Sequence, residues 1–173
     1  MQTISNTPLS KAVPWIHMLG LTVVSAIAAT ATSLAQTLPD GPYFGQSPPG
    51  MTAEVFAPGI ISLPTRSEQI IAWSPGGQEC LIQTGSGLLY AQQTNGHWSN
   101  PTPPAFIGSR KLAEPFFAPD GQSIFFSGSD ANLYAARRTN QTCTTPPMVP
   151  APVSTGDEEW HPSVTLDGTL YFY

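Results

Sequence analysis

The densest group of side chains able to do chemistry lies in the sequence GDEEWHPS, at residues 156–163. Its carboxylates and imidazole could ligate a cation, because oxygen ligands suit calcium and histidine suits zinc. Paired carboxylates could also serve as general acid and base. The simpler interpretation, which we favour, is a solvated connection whose acidic residues cap turns. The weak candidates for a metal site are Asp157, Glu158, Glu159 and His161.

No motif of a common enzyme class accompanies this group. The chain contains no Gly-x-Ser-x-Gly elbow, no dinucleotide-binding glycine motif and no phosphate-binding loop. We therefore predict neither a catalytic residue nor a cofactor. The six Lys and Arg residues and the net charge of −5 also argue against nucleic acid as a partner, since they cannot build a basic surface for phosphates.

The elements that would position these side chains are organised by repetition. The sequence AWSPGGQECLIQTGSGLLYA at 72–91 aligns without a gap with FFAPDGQSIFFSGSDANLYA at 116–135, and HPSVTLDGTLYFY at 161–173 aligns with 114–126. Each copy contains a Pro-Gly-Gly, Pro-Asp-Gly or Leu-Asp-Gly turn, which joins two antiparallel strands as a hairpin. The turn-forming residues are Pro75, Gly77, Pro119, Asp120, Gly121, Asp167 and Gly168.

The copies are offset by 44 and 47 residues, and a repeat of about 40–50 residues that holds about four strands is a propeller blade. First strands are predicted at 72–74, 116–118 and 163–165, second strands at 79–83, 123–127 and 169–172, and third strands at 88–93 and 132–138. A short fourth edge strand is expected at 104–107 or 149–153, where proline is tolerated. Helical repeats are excluded because the apolar runs are short and interrupted by Pro and Gly. The fold class is all-β, with about two and a half antiparallel blades of an incomplete propeller.

Several segments resemble a known repeat family. They are SPGG at 74–77, WSNP at 98–101, APDG at 118–121, LY at 133–134 and DGTLYF at 167–172. Together they resemble the WD-repeat-like, TolB-type β-propeller repeat of the periplasmic Tol-system propeller and of many exported bacterial proteins. The resemblance covers residues 70–173 and is specific for the repeat rather than for a function. It implies a binding or interaction scaffold without intrinsic catalysis. The alternative is the propeller portion of an exported hydrolase, lyase or peptidase whose catalytic part is missing.

The sequence departs from this family pattern in three places. Gly76 replaces the usual Asp of the first turn, and Cys143 stands where the second copy should have its Trp. The sequence also stops at Tyr173, inside the hairpin of the third blade, whereas propellers close with about four to eight blades. We expect a fragment of a longer propeller, with blades near 70–112, 113–158 and 159–173. The alternative is an open stack of sheets that dimerises.

The N-terminal region predicts export. Residues 12–39 carry no charged side chain, and they contain the apolar run WIHMLGLTVVSAIAA and the small-residue sequence SLA before Gln36. This pattern is typical of a secretory signal peptide over residues 1–35. The alternative is an uncleaved membrane anchor, which would be the chain's contact with a membrane. The predicted location is therefore periplasmic or secreted, and the partner is a protein, small-molecule or glycan ligand of unknown identity.

Residues 36–69, here called the lead-in, are rich in Pro and Gly and separate the signal segment from the first blade. Their apolar residues favour docking on that blade, with one strand at 59–63, over a flexible linker. Export would also permit a disulfide. The two cysteines, Cys80 and Cys143, offer one pairing, and the alternative is a buried free thiol at Cys80.

Overall fold

The computed structural model describes residues 37–139 and 142–173. It contains two four-stranded antiparallel sheets and one two-stranded sheet, so the predicted all-β fold of propeller-type blades is confirmed. Blade 1 consists of β1 (Glu68–Trp73), β2 (Glu79–Thr84), β3 (Gly87–Thr94) and β4 (His97–Trp98). Blade 2 consists of β5 (Leu112–Phe117), β6 (Ser123–Gly128), β7 (Leu133–Thr139) and β8 (Thr142–Cys143). Blade 3 is represented by β9 (Ser163–Val164) and β10 (Leu170–Tyr171).

The strands of each four-stranded blade follow chain order, with every neighbouring pair antiparallel. Two short 3-10 helices, Pro42–Gly45 and Ala105–Ile107, lie in the lead-in and between the two blades. Within the described ranges, no helix is long and apolar enough to span a membrane. The predicted signal segment at residues 1–35 lies outside the described residues, so its cleavage stays a prediction.

The first hairpin of each blade is closed by its turn glycine. The turn glycine donates its backbone N–H to the carbonyl oxygen three residues earlier: Gly77 to Ser74 at 2.8 Å, Gly121 to Ala118 at 2.9 Å and Gly168 to Thr165 at 3.0 Å. A carboxylate supports two of the three turns. Asp120 Oδ1 accepts the N–H of Gln122 at 2.8 Å, and Asp167 Oδ1 accepts the N–H of Thr169 at 3.2 Å. Both aspartates therefore act as turn formers.

The fourth strands were predicted in the wrong place. They lie at β4 and β8, directly after the third strands, and not at 104–107 or 149–153. In blade 1 the reason is the dipeptide Asn95-Gly96, whose φ values of 52° and 85° form the two-residue turn that suits a hairpin. The segment at 104–107 instead contains the second 3-10 helix. At 149–153, Val149 donates its N–H to Leu133 of β7 at 2.8 Å, but the chain then turns, and Val153 donates its N–H to Pro150 at 3.2 Å.

Strand alternation divides the apolar residues of blade 1 between two cores. Leu81 and Leu88 face blade 2 and enter the inter-blade core, whereas Cys80, Ile82 and Leu89 face the lead-in. The buried members of the inter-blade core are Leu81, Leu88, Ile107, Leu112, Phe117, Ile124, Phe126, Tyr134 and Ala136. On the other face, the lead-in core contains Phe44, Ala57, Ile61, Cys80, Ile82, Ala91 and Trp98. The lead-in therefore covers the face of blade 1 that blade 2 leaves free.

The lead-in docks without the strand predicted at 59–63. Its backbone makes a single parallel bridge, between Pro58 and Ser62, and turns tightly around Ala57. The carbonyl oxygen of Ala57 accepts the N–H of Ile60 at 3.1 Å and of Ile61 at 2.9 Å. These local hydrogen bonds satisfy the backbone and leave Ile61 buried against blade 1.

Candidate functional site

The lead-in is held against the outer edge of blade 1 by polar contacts to one carbonyl group. Gly41 O accepts the indole Nε1–H of Trp98 at 2.7 Å and the amide Nε2–H of Gln93 at 2.6 Å. The N–H of Gly41 also donates to the carbonyl oxygen of Gly96 at 3.1 Å. The N–H of the buried Trp98 thus finds its partner in the lead-in, which sets the position of the segment on the blade.

Aromatic rings from the lead-in and from blade 1 meet at this contact. Phe44 stacks on Trp98 with ring centroids 4.2 Å apart and an interplanar angle of 20°. Tyr43 and Phe56 each meet Trp73 of β1 nearly at right angles, with centroids 5.7 Å and 5.9 Å from that ring. Edge-to-face and stacked pairs of this kind contribute about 0.5–1.5 kcal/mol each beyond the area they bury. Tyr43, Phe56 and Trp73 together form an aromatic wall.

A loop of the lead-in completes a cavity over this wall. The side chain of Gln46 closes the loop, because its Oε1 accepts the N–H of Ala57 at 2.6 Å and its Nε2 donates to the carbonyl oxygen of Val55 at 3.3 Å. The open cavity has a volume of about 530 Å³. It is lined by Tyr43, Gln46, Ser47, Pro49, Gly50, Met51, Thr52, Ala53, Glu54, Phe56, Ile71 and Trp73.

This cavity is mostly apolar and carries one charged side chain. Glu54 is the sole charged residue in its lining, and the other polar groups are those of Gln46, Ser47 and Thr52, the Tyr43 hydroxyl and the Trp73 indole N–H. A concave, largely apolar cavity with a few polar groups is the usual form of a small-molecule site. We call it the lead-in cavity.

Two residues beside the lead-in cavity have strained backbones. Tyr43 (φ 53°, ψ 38°) and Phe44 (φ 54°, ψ 39°) are consecutive residues in the left-handed region. Each such non-glycine residue costs about 1–3 kcal/mol and persists only where the surroundings determine it. Burial of Phe44 against Trp98 holds the backbone in this conformation. The same conformation places the neighbouring Tyr43 at the cavity.

A second cleft, of about 550 Å³, lies where blades 1 and 2 meet and is polar. Its lining includes Glu79 of β2 and Arg138 of β7, which form an ion pair with each other. Arg138 also donates to the carbonyl oxygen of Gly121 at 3.1 Å. Since the two charges are engaged with each other, this cleft joins the blades and is the weaker candidate for a ligand site.

The structure disperses the four residues considered for a metal site. Glu159 is buried, and its Oε1 accepts the backbone N–H of Thr155 at 3.0 Å. Glu158 accepts the indole N–H of Trp160 at 3.3 Å, and Asp157 is exposed. Among the described residues, no three His, Cys, Asp or Glu side chains are grouped to hold a metal ion. The chemistry of this segment lies instead in His161 and a partner from another blade.

That partner is Glu114 of β5, which sequence analysis did not single out. Glu114 Oε1 lies 3.0 Å from Nδ1 of His161, and its Oε2 accepts the backbone N–H of His161 at 2.9 Å and the hydroxyl of Ser127 at 2.6 Å. Glu114 and His161 occupy equivalent positions in the repeat, each directly before a proline, and both have positive φ (51° and 55°). Their equivalent positions in the aligned copies were the sequence signal that could have indicated this pair.

Both cysteines are free thiols in the structure, so the pairing that export would permit is not formed. Cys80 faces the lead-in core, whereas Cys143 packs against the inter-blade core, and this separation is the physical reason. Burial raises the pKa of the Cys80 thiol to about 12, because desolvation disfavours the thiolate. A thiol of that kind is structural and unreactive.

The fold defines the chain as a protein of propeller-type blades. A scan against protein-family models finds no match, and a search of curated proteins finds no significant similarity. The resemblance to the TolB-type repeat therefore stays a prediction that depends on the residues quoted above.

Proposed function

We propose that this chain is an exported propeller-repeat protein that acts as a binding scaffold and takes its ligand in the lead-in cavity. The observation that carries the proposal is the aromatic wall formed by Tyr43, Phe56 and Trp73 beside an open cavity of about 530 Å³. The lining contains no histidine or cysteine beside its one acidic residue, Glu54. Binding without catalysis is the function that such a lining favours.

Preorganisation supports the same proposal. The cavity loop is closed by Gln46, and the lead-in is bound to blade 1 through Gly41 and Trp98. A site whose walls are already ordered loses little conformational entropy on binding, which favours affinity. The apolar N-terminal sequence supports export, because it has the pattern of a signal peptide.

The experiment is a thermal-shift screen of a compound library with two variants of the exported chain. Ala53→Trp places an indole in the lead-in cavity, and Asn100→Trp adds the same group at an exposed position outside it. We expect ligands that raise the melting temperature of the wild type and of Asn100→Trp but not of Ala53→Trp. Ligands that stabilise all three proteins equally would exclude the cavity as the site.

N-terminal sequencing of the exported protein tests the predicted cleavage before Gln36.

A further inference from the structure

We propose that the lead-in cavity is selective for an organic cation, a positively charged nitrogen surrounded by alkyl carbons. This inference rests on the proposed binding function and names its ligand class. The first observation is charge: Glu54 is the sole charged residue in the lining, and Lys, Arg and His do not contribute to it. The chain as a whole has a net charge of −5. A cation is therefore attracted, and an anion is repelled.

The second observation is the geometry of the rings. Tyr43 and Phe56 meet Trp73 at interplanar angles of 78° and 84°. Trp73 is also packed by Phe44 and Trp98, with ring centroids 6.3 Å and 5.8 Å away, so four rings surround it. Tyr43 is 39% exposed and is the ring of the wall that a ligand reaches most easily. The face of an aromatic ring carries negative potential and attracts an alkylated ammonium group, most strongly when the ring is Trp.

The third observation concerns hydrogen bonding. The amide oxygen and nitrogen of Gln46 both bond the backbone of the loop. The other polar groups of the lining are the hydroxyls of Ser47, Thr52 and Tyr43, the Trp73 indole N–H and the Glu54 carboxylate. An alkylated ammonium has no N–H to satisfy and needs only the carboxylate and the rings, whereas a sugar would have to bond these groups through its hydroxyls, so a sugar probe distinguishes the two.

The test compares three probes by calorimetry at low ionic strength. Choline is the cation, dimethylbutanol is its neutral analogue with carbon in place of nitrogen, and methyl glucoside represents a sugar. We expect choline to bind at least about 10-fold more tightly than dimethylbutanol, within the range that cation–π contacts and a carboxylate supply together. Added salt should weaken choline binding, because Glu54 is exposed and its charge is screened.

Variants locate the effect. Tyr43→Leu should weaken choline binding by about 2- to 30-fold, whereas Tyr171→Leu, at an exposed tyrosine outside the cavity, should not. Glu54→Gln should weaken binding and reduce its salt dependence, whereas Asp157→Asn removes the same charge elsewhere without effect. Equal affinity for choline and dimethylbutanol, preference for the glucoside, or no binding of choline would overturn the ligand class. The proposed binding function is tested separately by the thermal-shift screen. It is contradicted if every ligand stabilises Ala53→Trp as much as it stabilises the wild type.

Discussion

The contact between blades 2 and 3 gives a sharp test of how the repeats are joined. Ser127 is fully buried on β6, and its hydroxyl donates to Glu114 Oε2 at 2.6 Å and accepts the N–H of His161 at 3.1 Å. Ser127→Ala removes a hydrogen bond to a carboxylate, which contributes about 1.5–3 kcal/mol. The N–H of His161 keeps a partner, because Glu114 Oε2 lies 2.9 Å from it. We therefore expect the free energy of unfolding to fall by about 2 kcal/mol, without the further cost of an unpaired amide.

Urea unfolding followed by circular dichroism measures this change, and the slope with denaturant should stay constant. Ser123→Ala is the matched control, because it removes the same hydroxyl from the same strand at a half-buried position. The control should change stability by less than about 0.5 kcal/mol. In a cycle with Glu114→Gln, we expect the two changes to be coupled by about 1 kcal/mol or more, since the side chains are in contact. A loss below about 0.5 kcal/mol for Ser127→Ala, or additive changes in the cycle, would refute this account of the contact.

Three further outcomes follow from the turns and the thiols. Gly77→Val should lower the free energy of unfolding by about 1–3 kcal/mol, because φ is +67° there. Gly76→Val should change it little, because the added Cβ meets open space and φ is not in the left-handed region. Urea unfolding measures both changes. A thiol reagent at pH 8 should modify at most Cys143 in the native protein and both cysteines after denaturation, and a disulfide-linked product would contradict this. The folded state raises the pKa of Cys80 from 9.0 to about 12. The contribution of this thiol to stability is therefore complete below pH 9 and is lost as the pH rises towards 12. A melting temperature that does not fall between pH 9 and pH 12 would contradict this prediction.

The hairpins could be predicted because their signals are local. Pro75-Gly76-Gly77 and Pro119-Asp120-Gly121 specify the turn, and alternating apolar residues specify which face of each strand is buried. The fourth strand of blade 1 was predictable too, because Asn95-Gly96 directly after the third strand is a strong signal for a two-residue hairpin turn. The fourth strand was predicted instead in the proline-containing segments at 104–107 or 149–153.

The lead-in cavity could not be predicted, because its defining contacts join distant parts of the chain. The carbonyl oxygen of Gly41 accepts from Trp98, and Tyr43 reaches Trp73, yet the lead-in has no periodicity that would indicate either partner. Its backbone also departs from ordinary preferences, since Tyr43 and Phe44 adopt a conformation that favours glycine. Tertiary packing overrides local preference there, so only the apolar composition of the lead-in indicated that it would dock.

The repeat nevertheless explains how the blades are held together. Gln83 and Ser127 are equivalent residues at the ends of β2 and β6, and each accepts the N–H of the equivalent residue in the next blade: Gln83 Oε1 from Glu114 at 2.6 Å and Ser127 Oγ from His161 at 3.1 Å. The acceptor changes from an amide to a hydroxyl, but the hydrogen bond recurs. Strand alternation places the lead-in cavity on the opposite face of blade 1 from the inter-blade core. Ser127→Ala and Tyr43→Leu share no partner, so their effects on stability should add. Choline affinity should then respond to Tyr43→Leu and remain unchanged in Ser127→Ala.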